Sequence, residues 1–524
     1  MSIEHSTDSC NPTSTDRPSL LQVAQELERV GRDLQELVEK AVKEGSSFDS
    51  TERTAWAMVR QAGFQAMELL IRLQGQGDLG EEVVTSDGKT LDRSSEPAAT
   101  TVRSIFGTHE FEEYTYSPGK NKKIELRPIS ARLQLPENRW SFLLQEFSQM
   151  FCVDEAFNQS ADNLETVLAA KFSVDTLEQT TLRMGQEADT FLDELPTPDK
   201  KDEGAILVAS ADCKGVPLIK EEAAQVAAFE TAKKRPGNRR MATVTSVYTV
   251  DPHARTAEQI VAALFRDKNE PDATSKKPKR RRPRPKNKHT SAHFPTTIVD
   301  GDAEVPISGI HEGMAWLGEQ VSTRRKQRQL LILLMDGQES LWDVAKMHFP
   351  NDPRLVEILD LIHVSTYVWE ASSLFYESRD QRATFTRERL LRLLHGEVSG
   401  VIRGLRRMGS LAKLKGEKLE DLQRICGYFE KHQHRMRYDE YLAAGYPIAS
   451  GVIEGACKHL VKDRMERSGM RWTLEGARSM LNVRAVFQSD YWKMFCEQRV
   501  VKLSESSHPH RDLLHNYTPF TIAC

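Results

Sequence analysis

Three acidic residues, distant from one another in the chain, each stand where their surroundings would hold a carboxylate at the rim of a packed core. Asp212 follows the apolar run Ala205 to Ser210 in AILVASADCKGVPLI, and Asp336 follows Leu330 to Met335 in LLILLMDGQESLW. Both runs read as buried strands that deliver an aspartate at the carboxyl end. Gly215 then suggests a sharp turn into a second strand, Val216 to Ile219. Glu454, in YPIASGVIEGACKHLVKDRMERSGMRW, falls in the first turns of a helix that Ser450 could cap. Any one of these carboxylates could be a loop-start residue or a helix cap. Together they suit hard-cation chemistry. Mg²⁺ takes oxygen ligands and keeps several waters, so two or three carboxylates per site suffice. Two such ions about 4 Å apart activate an attacking oxygen and stabilise a leaving one in an in-line phosphoryl displacement. In that arrangement Asp212 bridges both ions, Asp336 binds one and Glu454 the other.

The elements that must position these residues are strands alternating with helices from 203 to about 370, an α/β texture. Residues 371–445 turn helical and rich in Arg and Leu, and helices continue from 446 to 497 before a polar tail, 498–524. One insertion, 267–293, carries nine Lys/Arg and three prolines between Lys276 and Lys288. Proline and like-charge repulsion both oppose packing, so an exposed flexible loop is expected. Its Lys276, Lys277, Lys279, Arg280, Arg281, Arg282, Arg284 and Lys286 are candidates for neutralising phosphates. The clusters Lys233-Lys234-Arg235, Arg239-Arg240 and Arg324-Arg325-Lys326 with Arg328 could add to them, or could be ordinary solvated surface.

Ahead of the α/β region, 1–18 reads as a disordered leader and 19–100 as helices plus a polar linker. Leu20 to Val42 places apolar residues at three- and four-residue steps, giving an amphipathic helix that either dimerises or packs on the next helix, Thr51 to Leu73. Residues 101–136 read as a β-hairpin, with strands Thr101 to Tyr116 and Lys123 to Leu135 around a Ser117-Pro118-Gly119 turn. Residues 137–198 read helical. Within them Ser160–Ala170 and Val174–Ala188 flank a tight turn, 171–173, with Ser173 or Asp175 as cap. That pair is either a helix-turn-helix that reads DNA or a plain helical hairpin.

The 524 residues suggest about three or four domains. A net charge of −4 does not itself mark a nucleic-acid binder, although local basic patches set the field that a phosphate backbone feels. The seven cysteines show no C-x-x-C pair, so neither a disulfide framework nor a zinc ribbon is supported. The polar N-terminus lacks a signal-peptide core, and the longest apolar run is too short for a bilayer. A cytoplasmic, nucleoid-associated protein without membrane contact is expected.

The order of strand Asp212, strand Asp336 and helix Glu454 resembles the ribonuclease-H-like core of DDE transposases. The helical block between Asp336 and Glu454 looks like the all-α insertion of Mutator-like transposases, and Asp360-Leu361-Ile362-His363 is similar to their C/D-x-x-H motif. The stretches ILVASADCKGVPL and YPIASGVIEGACKHLVKDRMERSGMRWT look most like the Kra-type bacterial insertion-sequence family. The resemblance covers roughly 100–495. It implies an α/β ribonuclease-H-like catalytic core with an all-α insertion, preceded by helical and helix-turn-helix-like regions. It implies a Mg²⁺-dependent transposase, with Mn²⁺ able to substitute, acting on terminal repeats and target DNA as a homodimer or higher oligomer. It also implies His363 near the scissile phosphate, and Arg471 and Trp472 near the active site or the DNA end. Trp472 has a core-aromatic reading too. Relatives often carry a cysteine-rich turn where this chain has Ser117-Pro118-Gly119-Lys120, so no zinc is expected. Two other functions fit the same residues, a ribonuclease-H-like nuclease or resolvase and a non-catalytic DNA-binding protein derived from a transposase.

Overall fold

A computed structural model of the protein describes residues 19–228, 238–266, 282–300, 303–349, 352–467 and 469–520. The chain divides into two compact units, residues 1–177 with 496–524, and residues 178–495.

In the first unit, α1 (Leu20–Glu44) starts at a capping box on Ser19 and ends at Gly45 in the left-handed region. It packs on α2 (Phe48–Arg72) and buries Val23 and Val30. The expected packing within the chain is thus present, while Leu21, Val38 and Val42 stay exposed. The polar linker contains structure of its own. β1 (Glu82–Val84), β2 (Thr90–Arg93) and β5 (Tyr116–Ser117) form a small antiparallel sheet around Leu91 and Tyr116. The β-hairpin lies earlier than the sequence suggests, formed by β3 (Ala98–Ser104) and β4 (Gly107–Glu113). Gly107, at φ 150°, makes this the tighter turn. The expected second strand is instead irregular chain holding a short helix, α3 (Pro128–Arg132), because Pro128 starts a helix well and cannot donate to a ladder. α4 (Phe142–Cys152) and α5 (Phe157–Leu168) follow, and α6 (Val174–Asp193) begins with Ser173 Oγ accepting from Thr176 N at 3.2 Å.

The second unit is built on a five-stranded sheet. Its strands are β6 (Ile206–Pro217), β7 (Arg239–Val250), β8 (Lys286–His293), β11 (Leu330–Met335) and β12 (Leu355–Leu359), in spatial order β12-β11-β6-β7-β8. β7 runs antiparallel to both neighbours, whereas β11 and β12 run parallel to β6. β9 (Thr296–Asp300) and β10 (Ala303–Ile307) form a separate hairpin. β8 corrects the expectation of a loop through 293. From Lys286 onward the chain pairs with β7 and buries His289 to Ala292, leaving charge at the strand's exposed start.

Helices cover both faces. α7 (Lys220–Ala228) and α8 (Ala257–Phe265) link the early strands, and α9 (Gly309–Arg324) and α10 (Glu339–His348) flank β11. Leu207, Ala209, Leu331 and Leu333 point to the α9–α10 side. Ile206, Val208, Ile332 and Leu334 point to the other side, where the helical block lies. That block comprises α11 (Leu361–Phe375), α12 (Arg379–Leu394), α13 (Val398–Leu411), α14 (Glu417–His432) and α15 (Tyr438–Ala444). It shares one apolar core with the sheet through Leu390, Val401, Ile425 and Phe429. α16 (Gly451–Ala456), a π-helical segment (Cys457–Lys462), α17 (Asp463–Met465), α18 (Leu474–Gln488) and α19 (Trp492–Ser507) complete the order. Among the described residues no helix is long and apolar enough to cross a membrane.

Candidate active site

Asp212 lies inside a strand rather than at its end. β7 pairs with every residue of β6, including Asp212 with Val244 and Gly215 with Met241, so the strand runs on through the expected turn. β11, in contrast, pairs only with Ile206 to Ala209. Asp212 thus sits just past the point where β6 loses its parallel neighbour. Side chains alternate across a strand. Asp212 therefore faces the helical-block side with Ile206 and Val208, while Cys213 faces α9 and α10. Its Oδ1 accepts from Cys213 N at 2.6 Å, and its Oδ2 accepts from the Cys457 thiol at 3.3 Å.

Asp336 and Asp360 directly follow β11 and β12. Asp336 and Asp360, at the carboxyl ends of their strands, and Asp212, just past the parallel-paired stretch of β6, thus put three aspartates at one rim, the usual place for a site in an open α/β sheet. Asp336 is held from both ends, its Oδ1 accepting from Gln338 N at 2.9 Å and its carbonyl from Trp342 Nε1 at 2.6 Å. Asp360 is fully buried and caps α11. It accepts from Ile362 N at 3.2 Å, His363 N at 3.4 Å, His363 Nδ1 at 2.9 Å and Ser450 N at 2.9 Å. Four donors on one carboxylate explain why burial does not neutralise it. Although burial opposes ionisation, the bonds led by His363 hold its pKa below the usual value.

Glu454 reaches the same rim on α16. Ser450 does not cap that helix with its side chain. It gives its backbone N–H to Asp360 instead, tying α16 to α11. After Ala456 the helix widens into the π-helical segment, a geometry common near functional sites. Arg484 of α18, itself buried, donates to the carbonyls of His459 and Leu460 in that segment. The widened turn is therefore braced by a guanidinium and presents Cys457 to Asp212.

Asp336 and Glu454 both have raised pKa values. Burial is the first cause for each, followed for Asp336 by the charge of Asp212 and for Glu454 by that of Asp360. His363 is pushed up to about 9, first by its bond to Asp360 and then by the charges of Asp360, Asp336 and Asp212. Of the sequence-expected residues, Asp212 and His363 thus lie within electrostatic reach of both Asp336 and Glu454. One metal-ligating set comes together among the described residues, Asp360, His363 and Glu454, whose ligand atoms lie within 4.8 Å of one another; Asp212 and Asp336 are not part of it. Asp360 already spends its oxygens on four donors, so it suits the role of orienting His363 Nδ1 and leaving Nε2 free. A partly buried, carboxylate-rich rim, with Asp336 and Glu454 held above the usual carboxylate range, fits a hard divalent cation.

The expected DNA contacts divide. Lys276, Lys277, Lys279, Arg280, Arg281 and the cluster at 233–235 lie outside the described residues. Arg282 and Arg284 are exposed, and Lys286 pairs with Asp251 at 3.1 Å. Arg471 is exposed, but Trp472 is a core residue. Its indole donates to Met465 O at 3.2 Å, the Arg464 guanidinium lies 4.8 Å above its ring, and its backbone bonds Pro217 and Ile219. It braces the far end of β6 and offers DNA no face. The short basic clusters are largely absorbed as well. Arg324 forms a buried ion pair with Glu203 at 3.0 Å, Arg325 pairs with Asp352 at 2.6 Å, Arg239 pairs with Glu466 at 2.6 Å, and Arg240 is buried.

α6, the expected recognition helix, packs on α18, where a Cβ at Gly185 would meet Ser479 Cα at 2.3 Å. Its exposed residues include Asp175, Glu178, Asp189 and Asp193 against Arg183. Phosphates would be repelled by that face, so the charge pattern does not favour groove reading.

Three contributors to the site are not among the residues expected from sequence in these roles. Asp360's place at the end of a third strand was signalled by LVEIL before it. Cys457 and Arg484 had no such signal, because a π turn and the arginine that braces it depend on contacts between helices. No known family model matches the chain, and no curated protein matches it.

Proposed function

We propose that the protein is a metal-dependent polynucleotidyl transferase of the DDE kind, cutting and rejoining DNA at the ends of an insertion sequence. The observation that carries this is the gathering of Asp212, Asp336 and Glu454 at one sheet rim, the first two from adjacent parallel strands and the third from a helix. The sheet order with two antiparallel and two parallel pairings, and the helical block between Asp336 and Glu454, support a ribonuclease-H-like core.

Asp212, Asp336 and Glu454 are the residues to hold Mg²⁺ or Mn²⁺, which when bound activates the attacking oxygen and stabilises the leaving one. Asp360 fixes the tautomer and ring plane of His363. The half-exposed His363 can then donate from Nε2 to a phosphate oxygen while Nδ1 stays on Asp360. Trp342 and Gln338 set the position of Asp336, and Cys457 that of Asp212.

A second reading is a ribonuclease-H-like nuclease without end-specific recognition, favoured by the acidic exposed face of α6. Incubation of a plasmid carrying the element and its flanks with Mg²⁺ or Mn²⁺ separates the two. Cleavage at the element's ends with strand-transfer products, lost in Asp212→Ala, Asp336→Ala and Glu454→Ala, supports the transposase. Metal-dependent cutting at unrelated positions supports the nuclease, and absence of cutting with either metal overturns both.

A further inference from the structure

The helical block carries a positive surface made of residues other than those of the acidic rim and of the basic clusters expected to meet DNA. α13 is two-faced. Val398, Val401, Ile402, Leu405 and Gly409 are buried, and Arg403, Arg406 and Arg407 lie on the outer side. Lys413, Lys415 and Lys418 continue the charge into the loop and the start of α14. Residues 398–418 hold six Lys/Arg and one acid, Glu417, leaving +5 in a chain of net charge −4.

Ion pairing inside the protein does not account for these charges. Arg406 is engaged, donating twice to Glu430 at 2.6 and 2.8 Å. Arg403, Arg407, Lys413, Lys415 and Lys418 are exposed and have no carboxylate within ion-pair distance among the described residues. Arg403 and Arg407 are one helical turn apart, a like-charge spacing that weakens a helix by itself. Positive side chains in a last turn can serve the helix dipole, but these two lie mid-helix, beyond that effect.

The backbone points the same way. Lys413 adopts φ 50°, closing the end of α13 where glycine is the comfortable choice, with Leu414 N bonding Gly409 O at 3.1 Å. Gly404 lies between the two arginines, and a Cβ there would meet nothing within 4 Å. Packing gives no reason for a glycine that lowers helix stability. It leaves the helix surface low enough for a close approach.

We propose that the outer face of α13 with the loop to Lys418 is a second DNA-contacting surface, binding the phosphate backbone of duplex DNA independently of sequence. This rests on the reading of the protein as a DNA-cutting enzyme. A membrane is the poorer partner, because the apolar face a bilayer would take up is already committed to the core. Arginine and lysine without acidic partners suit phosphate oxygens, and each neutralised phosphate releases counterions.

The test uses the full chain and a random-sequence DNA duplex, with affinity read by fluorescence anisotropy across a NaCl series. Changing Arg403, Arg407, Lys413 and Lys415 together to Gln is expected to weaken binding. It should also flatten log affinity against log salt by about 0.9 for each phosphate that is no longer neutralised. Arg403→Lys with Arg407→Lys keeps the charge and is expected to retain the slope, and thermal melting checks that every variant folds. Unchanged affinity and slope in the Gln variant overturn the proposal, as does equal or tighter binding of wild type to anionic phospholipid vesicles or polyglutamate. The plasmid assay keeps the two claims apart. Metal-dependent cutting with a Gln variant that binds duplex normally defeats this surface alone, whereas a flattened slope without any cutting defeats only the enzymatic reading.

Discussion

The Cys457 thiol donates to Asp212 Oδ2 at 3.3 Å, joining the first turn of a π-helical segment to the central strand of the sheet. Burial, followed by the charge of Asp212, pushes that thiol's pKa far up, so it stays protonated and remains a donor. Cys457→Val removes the donor while filling similar space. Cleavage is expected to fall about tenfold, corresponding to roughly 1.4 kcal/mol of lost positioning, with little change in melting temperature. Cys457→Ser should restore most of the rate. Equal rates in all three proteins would show that the bond does not position Asp212.

Stability should respond to pH through His363. Its pKa rises from 6.5 to about 9 in the folded protein, so its contribution is fully present below pH 6.5 and is lost as pH rises through 9. The ring is 37% exposed, so after solvent screening the contribution is about 1–2 kcal/mol. Urea unfolding of the metal-free protein and of His363→Ala across pH 6 to 10 checks this. The two curves should converge toward the alkaline end, and a constant gap would rule it out.

Asp336 and Glu454 carry the opposite sign at neutral pH. A carboxylate whose pKa is raised on folding contributes stability below its unfolded value, 3.8 or 4.5, and loses it as pH rises through the folded value. In the metal-free protein at pH 7, Asp336→Asn and Glu454→Gln should therefore be neutral or slightly stabilising. Added Mn²⁺ should stabilise wild type by about 2.7 kcal/mol at a hundredfold excess over Kd, seen as a higher melting temperature, and should not stabilise the variants. Destabilisation by either substitution in chelator would contradict the repulsion.

Gly337 links the helical block to the acidic rim. A Cβ at this position would lie 2.1 Å from Tyr428 Cε2, and the Tyr428 ring is stacked on Tyr367 at 3.9 Å, so it cannot step aside. Gly337→Ala is expected to cost about 1–3 kcal/mol and to lower cleavage by displacing Asp336. Tyr428→Ala in the same chain should relieve the clash and recover part of the activity, and a variant as active as wild type would exclude the coupling.

Glu203 and Arg324 are each 1% exposed in their side chains, and the pair is reinforced by Thr249 and Asn287. Arg324→Gln should destabilise by about 3–5 kcal/mol, because it leaves Glu203 buried without its partner. It should not change the salt dependence of DNA binding measured below the melting transition. A flattened salt dependence would return Arg324 to the DNA-contacting set.

The sequence by itself determined the first helix, the buried strand before Asp336 and the α/β texture that follows residue 203. Apolar runs such as Leu330–Met335 announce buried strands, and an acid directly after one has few places to go but a rim. The three- and four-residue periods of α1 and the cap at Ser173 are local and therefore legible. What only the tertiary structure decided depends on partners distant in the chain. β6 passes through Gly215 because β7 supplies a ladder along its whole length, and Asp212 reaches a rim because β11 is short. Trp472, Arg324 and Arg240 resemble surface contacts in the sequence but are buried by their neighbours. Asp360 as orienter of His363, and the π turn that brings Cys457 to Asp212, arise from α11, α16 and α18 meeting at one end of the sheet. Local patterning fixes which face of an element is apolar, but not which distant element will cover it, and that choice sets the geometry of the site.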